Sequence, residues 1–334
     1  MAHGRSRVSP RTTLSWRSAA QKRRYVEGLD AVEARLRAVA AGYPGRLGES
    51  CRSTLGAGGK RLRPLLTLLC TRRDAPFPEA VLRAAAAVEL VHMATLVHDD
   101  VLDHAALRRG RPTVVRAYGG GTAVATGDYL LAQAFVELAG AGSPEAVDVL
   151  SAAALRLSQG ELLQREAAHR ITTSVAEYEE RCERKTADLF AAACTLGARL
   201  SGAAPAAVAG LAEYGRLLGL AFQVFDDILD VSGDEDQTGK RLGTDVRDGT
   251  VTLPLIFALE ARPELGDLLA RPGLGDAQVS EVIAAVRACG AVERARAVAV
   301  GYIEQARRAL DQCDDGVERD LLVELAGRVV DRYS

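Results

Sequence analysis

The stretch Glu89–Pro112, ELVHMATLVHDDVLDHAALRRGRP, decides how the rest of this 334-residue chain is read. It closes an apolar helix with Asp99, Asp100 and Asp103, then turns into a loop carrying Arg108, Arg109 and Arg111. Asp99 and Asp103 are four apart, so a helix stacks them on one face. Three carboxylates at a helix C-terminus are opposed by the helix dipole and by one another, which calls for a bound cation. A second copy, FQVFDDILD at 222–230, supplies Asp226, Asp227 and Asp230. One such triplet is the ordinary solvated face of a helix. Two copies, each after an apolar helix and before a glycine-containing basic loop, point elsewhere. Mg²⁺ takes one or two protein carboxylates per ion and completes its octahedron with water and phosphate oxygens. The paired clusters therefore read as a clamp on a diphosphate, held by several Mg²⁺ ions.

Composition narrows the class. The formal net charge is −2 and 26% of residues are charged, a balance that favours no nucleic-acid partner. Aromatics are 4%, and the abundance of Ala, Leu and Arg favours helix over sheet. The cysteines at 51, 70, 182, 194, 289 and 313 form no CxxC and read as small core residues in a reducing compartment, the cytoplasm. No charge-free run approaches 18 apolar residues, so no membrane span is expected. The first 26 residues hold seven basic side chains and no acid. Residues 1–24 read as a flexible basic arm, with a transit peptide as the other reading of that composition.

From 25 onwards the pattern is that of a single all-helical domain running to 334. Apolar residues recur at helical spacing from Val26 to Val39, and GYPG at 42–45 ends that run. Pro64 suits the first turn of the next helix. Further helices are expected over about 79–103, 122–138, 144–169 and 206–231. Ser174 with Glu177 fits a capping box at the start of the helix that carries 183–200. The polar, glycine-rich 232–254 has the length of a functional loop. Three or four amphipathic helices complete the chain, and no alternating strand segment appears.

GGKRLRP at 58–64 offers glycine amides, a point charge at Lys60 and a guanidinium fork at Arg63, a set suited to an anion. Arg108, Arg109, Lys185 beside Thr186, and Lys240 add cations. His92 lies two turns before Asp99 on the same face. A rival constellation exists: Glu89-Leu-Val-His92 and Glu166-Ala-Ala-His169 both match the Glu-x-x-His spacing of di-iron carboxylate bundles. It leaves both aspartate clusters and GGKRLRP unexplained.

GGKRLRP, ELVHMATLVHDDVLD, RRGRPT, GDYLL, RKTADLF and FQVFDDILD occur here in one order. In this the chain resembles the trans-type prenyl diphosphate synthases across roughly 56–255. The resemblance implies an all-α bundle of about a dozen helices around a deep central cavity, usually a homodimer. It implies Mg²⁺-dependent head-to-tail condensation of isopentenyl diphosphate with an allylic diphosphate. Carried over by position, Lys60, Arg63, His92 and Arg109 would hold isopentenyl diphosphate. Arg108, Lys185, Thr186, Gln223 and Lys240 would hold the allylic diphosphate. Asp99, Asp103, Asp226 and Asp230 would bind metal, with Asp100 and Asp227 in support. Two departures stand out: Thr250 where many relatives carry lysine, and Gly121 where asparagine is usual.

The growing tail would run from the aspartates towards the N-terminus of their helix, past Ala94, Thr95, Val91, Val88, Ala87 and Ala84. None is aromatic, and each turn adds ~5.4 Å. The next floor would be Tyr129, Leu130 or Phe135. Products of geranylgeranyl length or longer are therefore expected. A class I terpene cyclase would share one aspartate-rich helix, but its second metal site mixes Asn, Ser and Glu and it needs no Lys60/Arg63 site.

Overall fold

The computed structural model describes residues 14–56, 58–73, 76–108, 110–233, 242–313 and 316–331. The architecture is all-α. In chain order the helices are α1 (Ala19–Ala41), α2 (Gly45–Gly56), α3 (Leu62–Leu69), α4 (Glu79–Leu102), α5 (Val114–Tyr118), α6 (Gly120–Ala139), α7 (Pro144–Glu166), α8 (Val175–Cys182), α9 (Asp188–Leu200) and α10 (Pro205–Ser232). There follow α11 (Thr244–Arg247), α12 (Leu253–Ala261), α13 (Gly266–Leu269), α14 (Asp276–Ala288), α15 (Ala291–Ala309) and α16 (Arg319–Asp331).

Several boundaries follow from local chemistry. Ser18 caps α1 by accepting from the Gln21 amide, so the first helix begins at Ala19, inside the stretch read as a flexible arm. Residues 14–18 are also tied down: the Ser15 amide donates to Glu324, and Trp16 stacks on Tyr25 at 5.4 Å. Residues 1–13 of that arm lie outside the described residues. The expected capping box forms, with Ser174 and Glu177 satisfying each other's backbone amides. A two-residue hairpin pairs Leu107–Arg108 with Arg111–Pro112 in the arginine loop, where Gly110 has φ +76°. It is too short to leave an alternating signature in the sequence.

The chain divides into two compact units. The first comprises Met1–Leu150, Ala192–Leu211 and Gln312–Leu325, and the second Ser151–Ala191, Ala212–Asp311 and Ala326–Ser334. In the first unit α4 is central: Ala84–Val88, Leu90 and Val91 are fully buried. It runs antiparallel to α6, since Arg83 pairs with Glu137 at 3.2 Å while His98 Nε2 lies 3.3 Å from Asp128. Small residues allow this close approach; a Cβ on Gly127 would fall 2.2 Å from the His98 ring. Alone among the helices searched, α4 is long and apolar enough to cross a membrane, a length the charge-free criterion passed over, yet 67% of its apolar window is buried in the protein.

In the second unit the core is built from Phe190, Tyr214, Phe225, Ile228 and Tyr178, all essentially inaccessible. Phe190 and Phe222 pack at 5.5 Å between centroids. Between α8 and α9 the backbone forms a π turn, Glu183–Ala187, continuous with both helices. Two glycines make room for it. A Cβ on Gly160 would lie 2.6 Å from the Lys185 nitrogen, and one on Gly219 would lie 2.6 Å from the Ala187 Cα. π turns of this kind recur at functional sites.

Candidate active site

The two acidic clusters are built alike. Asp99 and Asp103 occupy the last turn of α4 and its C-cap; Asp99 is half-buried and Asp103 exposed. Asp100 between them is only 4% exposed, and Arg108 donates to its Oδ1 at 2.8 Å. Burial raises the Asp100 carboxyl, and the guanidinium of Arg108 opposes that rise. In the second cluster, Asp226 is half-buried on α10 and Asp227 is 4% exposed. The Tyr178 hydroxyl donates to Asp227 Oδ2 at 2.6 Å and Gln223 Nε2 donates to Oδ1 at 2.8 Å. Burial pushes the Asp227 carboxyl up, against the pull of those two donors.

Asp230 takes a further role, since its two oxygens accept from the Thr244 and Asp245 amides at 3.1 and 3.0 Å. These are the first amides of α11, which are otherwise without helical partners. A carboxylate at that N-terminus is stabilised by the helix dipole.

A cavity of the first unit is lined by Ser53, Thr54, Arg61, Glu89, His92, Asp100 and Arg108, among others. It brings together the predicted His92, Asp100 and Arg108. Lys60 is exposed beside it, between the lining residues Gly58 and Arg61. Burial lowers the Arg63 guanidinium to about 10, with Glu89 opposing, so it stays charged near neutrality. Arg109 and Lys240 lie outside the described residues.

In the second unit, Lys185 Nζ is paired with Glu161 and donates to Gln164 Oε1 at 3.1 Å. Thr186 Oγ donates to Gln223 Oε1 at 2.8 Å. Thr250 is buried, and its amide donates to the Asp245 carbonyl at 2.8 Å. Gly121 is exposed, and a side chain there would meet nothing within 4 Å. Along the expected tail path, Val91 and Ala94 are buried outright, whereas Thr95 and Phe135 keep accessible surface. Tyr129 is turned towards α1, its hydroxyl donating to the Val39 carbonyl at 3.1 Å.

Sequence reading missed Tyr178, Glu161, Gln164 and the pairing of Arg61 with Glu89. All but Arg61, which precedes α3, are helix residues, and each has its partner tens of positions away, so no local spacing marks it. QGELLQRE carried a weak signal, as a glutamate, a glycine and a glutamine on one apolar helix.

Among the described residues no three His, Cys, Asp or Glu side chains lie together as a ready metal nest. The donors offered are all carboxylate oxygens, as a hard cation requires. The di-iron reading finds no support in the arrangement: Glu89 is 2.9 Å from Arg61 Nη1, and His169 Nδ1 lies 3.2 Å from the Leu269 carbonyl.

Comparison with known proteins agrees with this architecture. The chain is similar to heptaprenyl diphosphate synthase component 2 of Geobacillus stearothermophilus, with 41% identity over 90% of this chain and 94% of the relative. Its fold is similar to that of heptaprenyl diphosphate synthase from Staphylococcus aureus, with a TM-score of 0.88 and 29% identity over 93% of this chain and 99% of the other. It is similar too to polyprenyl synthase from Caulobacter crescentus CB15, solved with calcium and isoprenyl diphosphate, with a TM-score of 0.82 and 33% identity over 94% and 96% of the two chains. In class it is an all-helical trans-prenyltransferase, a prenyl diphosphate synthase working by head-to-tail condensation. The family model for polyprenyl synthetase matches residues 44–288, and the chain belongs to that family.

Proposed function

We propose that this chain condenses isopentenyl diphosphate with an allylic diphosphate in a Mg²⁺-dependent reaction, releasing an all-trans prenyl diphosphate of geranylgeranyl length or longer. The observation that carries this reading is the shared design of the two clusters. Each buries its middle aspartate against protein donors, Arg108 for Asp100 and Tyr178 with Gln223 for Asp227. Each thereby holds the preceding aspartate, Asp99 or Asp226, at a half-buried position.

In this reading Asp99, Asp103 and Asp226 hold Mg²⁺, and Asp230 joins them from its place above α11. Asp100 and Asp227 brace the two clusters. Arg108, Lys185, Thr186, Gln223 and Lys240 serve the allylic diphosphate, and Lys60, Arg63, His92 and Arg109 serve isopentenyl diphosphate. When bound, Mg²⁺ supplies Lewis-acid stabilisation to a departing diphosphate. Lys185 and Arg108 add fixed positive charge where negative charge grows, the larger source of rate in such sites. Lys60, Arg63 and His92 orient the second substrate, converting a bimolecular encounter into a local one. On α4 Thr95, which keeps accessible surface, faces the tail, and the buried small apolar residues around it exclude water from the cationic carbon. The departing diphosphate accepts the proton that is finally lost, so no protein base is required. The chain acts as a homodimer in the cytoplasm.

The test is incubation with dimethylallyl, geranyl or farnesyl diphosphate and Mg²⁺, with and without isopentenyl diphosphate. A longer diphosphate formed only when both substrates are present is the expected result. A hydrocarbon formed from the allylic substrate alone would assign a cyclase instead.

A further inference from the structure

We propose that Tyr178 is a positioning residue for the allylic half of the site, acting through Asp227 and Gln223 on Thr186. The inference rests on the prenyl-transfer reading and gives a further role to a residue which that reading uses only to brace Asp227. Tyr178 is 1% exposed on α8, and its phenol is the start of a directed chain of hydrogen bonds. Its O–H donates to one oxygen of Asp227 at 2.6 Å. The other oxygen accepts from Gln223 Nε2 at 2.8 Å. Both Asp227 oxygens accept, one from Tyr178 and one from the amide nitrogen of Gln223, so Asp227 fixes which end of the Gln223 amide faces it. The carbonyl end of Gln223 is thereby turned to Thr186, whose hydroxyl proton it takes at 2.8 Å. A threonine has a single hydroxyl proton. Committed to Gln223, the proton anchors the π turn, so Thr186 serves the allylic diphosphate through Lys185.

The anchoring has a consequence for Lys185, the next residue along. Gly160 lets α7 approach until only a hydrogen fits against the Lys185 nitrogen, and Gly219 does the same from α10 at Ala187. The turn is thus held on two sides by close packing and on a third by the Thr186 hydroxyl. Tyr178 occupies one oxygen of Asp227, leaves the other to the Gln223 amide nitrogen, and so keeps the whole chain pointing one way. Thr186 acts as an anchor for Lys185, and the ammonium of Lys185 is the group that meets the anion.

The experiment compares Tyr178→Phe, Thr186→Val and the double variant. Two quantities are read: binding of geranyl S-thiolodiphosphate with Mg²⁺ by calorimetry, and KM for isopentenyl diphosphate. A buried hydrogen bond is lost in Tyr178→Phe, so binding of the analogue weakens about tenfold while KM for isopentenyl diphosphate stays within about twofold. Because both residues act through one chain, the double variant binds no worse than Thr186→Val alone. Additive losses, or Tyr178→Phe binding the analogue like the parent, would overturn the assignment. Tyr302→Phe serves as the control. Its phenol bonds Glu179 in the same unit, outside the chain, and it leaves both quantities unchanged. Should Tyr178→Phe fail to fold, Gln223→Met cuts the same chain downstream and must show the same non-additivity with Thr186→Val. If the parent chain itself ignores the analogue, the prenyl-transfer reading falls; if only Tyr178→Phe behaves like the parent, Tyr178 alone loses its role.

Discussion

Arg61 and Glu89 meet inside the first unit at 2.9 Å, and Arg61 reaches that position with φ +51°, a left-handed backbone rarely adopted outside glycine. Its guanidinium also pairs with Glu33 and donates to the Leu55 carbonyl at 3.4 Å. Arg61 stands between Lys60 and Arg63, while Glu89 is one turn before His92 on α4. The pair therefore ties the anion loop to the helix that carries the histidine. A buried ion pair adds little net stability, because desolvation offsets attraction, but removing one partner strands a charge.

Arg61→Met and Glu89→Met singly should each destabilise by about 3–5 kcal/mol. The double replacement should cost clearly less than the sum of the two. Thermal unfolding of the three variants checks this, and simple additivity would refute the pairing argument.

The clusters should separate by function. Asp99→Ala and Asp226→Ala should lower turnover about 10²–10³-fold, the range for removing one preorganised charge-stabilising group, with midpoints of unfolding near the parent's. Asp100→Ala and Asp227→Ala should in addition lower the midpoint, since each strands buried donors. Calorimetric unfolding beside steady-state kinetics distinguishes the two sets. EDTA should abolish turnover and added Mg²⁺ restore it.

Thr95→Phe should shorten the product, read by chromatography of the dephosphorylated prenols. Thr95 keeps accessible surface on α4, so a ring there can enter the tail's path. Ala94 is buried outright, and Ala94→Phe should instead overpack the core at a cost of about 1–3 kcal/mol. Unchanged product length in Thr95→Phe would move the tail off this face of the helix.

Gly160→Ala should raise KM for the allylic substrate more than that for isopentenyl diphosphate. The added methyl would meet backbone at Lys185, which cannot swing aside as a side chain would. Equal changes in both constants would contradict a local effect on the π turn.

Burial pushes the thiols of Cys51 and Cys182 up to about 11 and about 12. At pH 8 their thiolate fractions are then about one in a thousand or less, too few to react at an ordinary rate. Mass spectrometry after brief alkylation should find label at the half-buried Cys289 and Cys313 and not at Cys51 or Cys182. Early labelling of Cys182 would mean that α8 opens.

The all-helical class, the capping box at Ser174 and the family were fixed by local and periodic features that survive in one dimension. Helix spacing, glycine punctuation and two DDxxD clusters each lie within a few residues of chain, where backbone geometry alone relates the side chains. What the sequence could not determine is which member of each cluster is buried. Asp99 and Asp100, or Asp226 and Asp227, are identical neighbours in composition. Packing turns one of each pair into the interior, where it must find donors. Those donors are Arg108, delivered by the two-residue hairpin, and Tyr178, brought from 49 positions away. The same holds for Arg61 and Glu89, and for Lys185 and Glu161. A charge removed from water is acceptable only beside its counterpart, and only the folded chain supplies that neighbour.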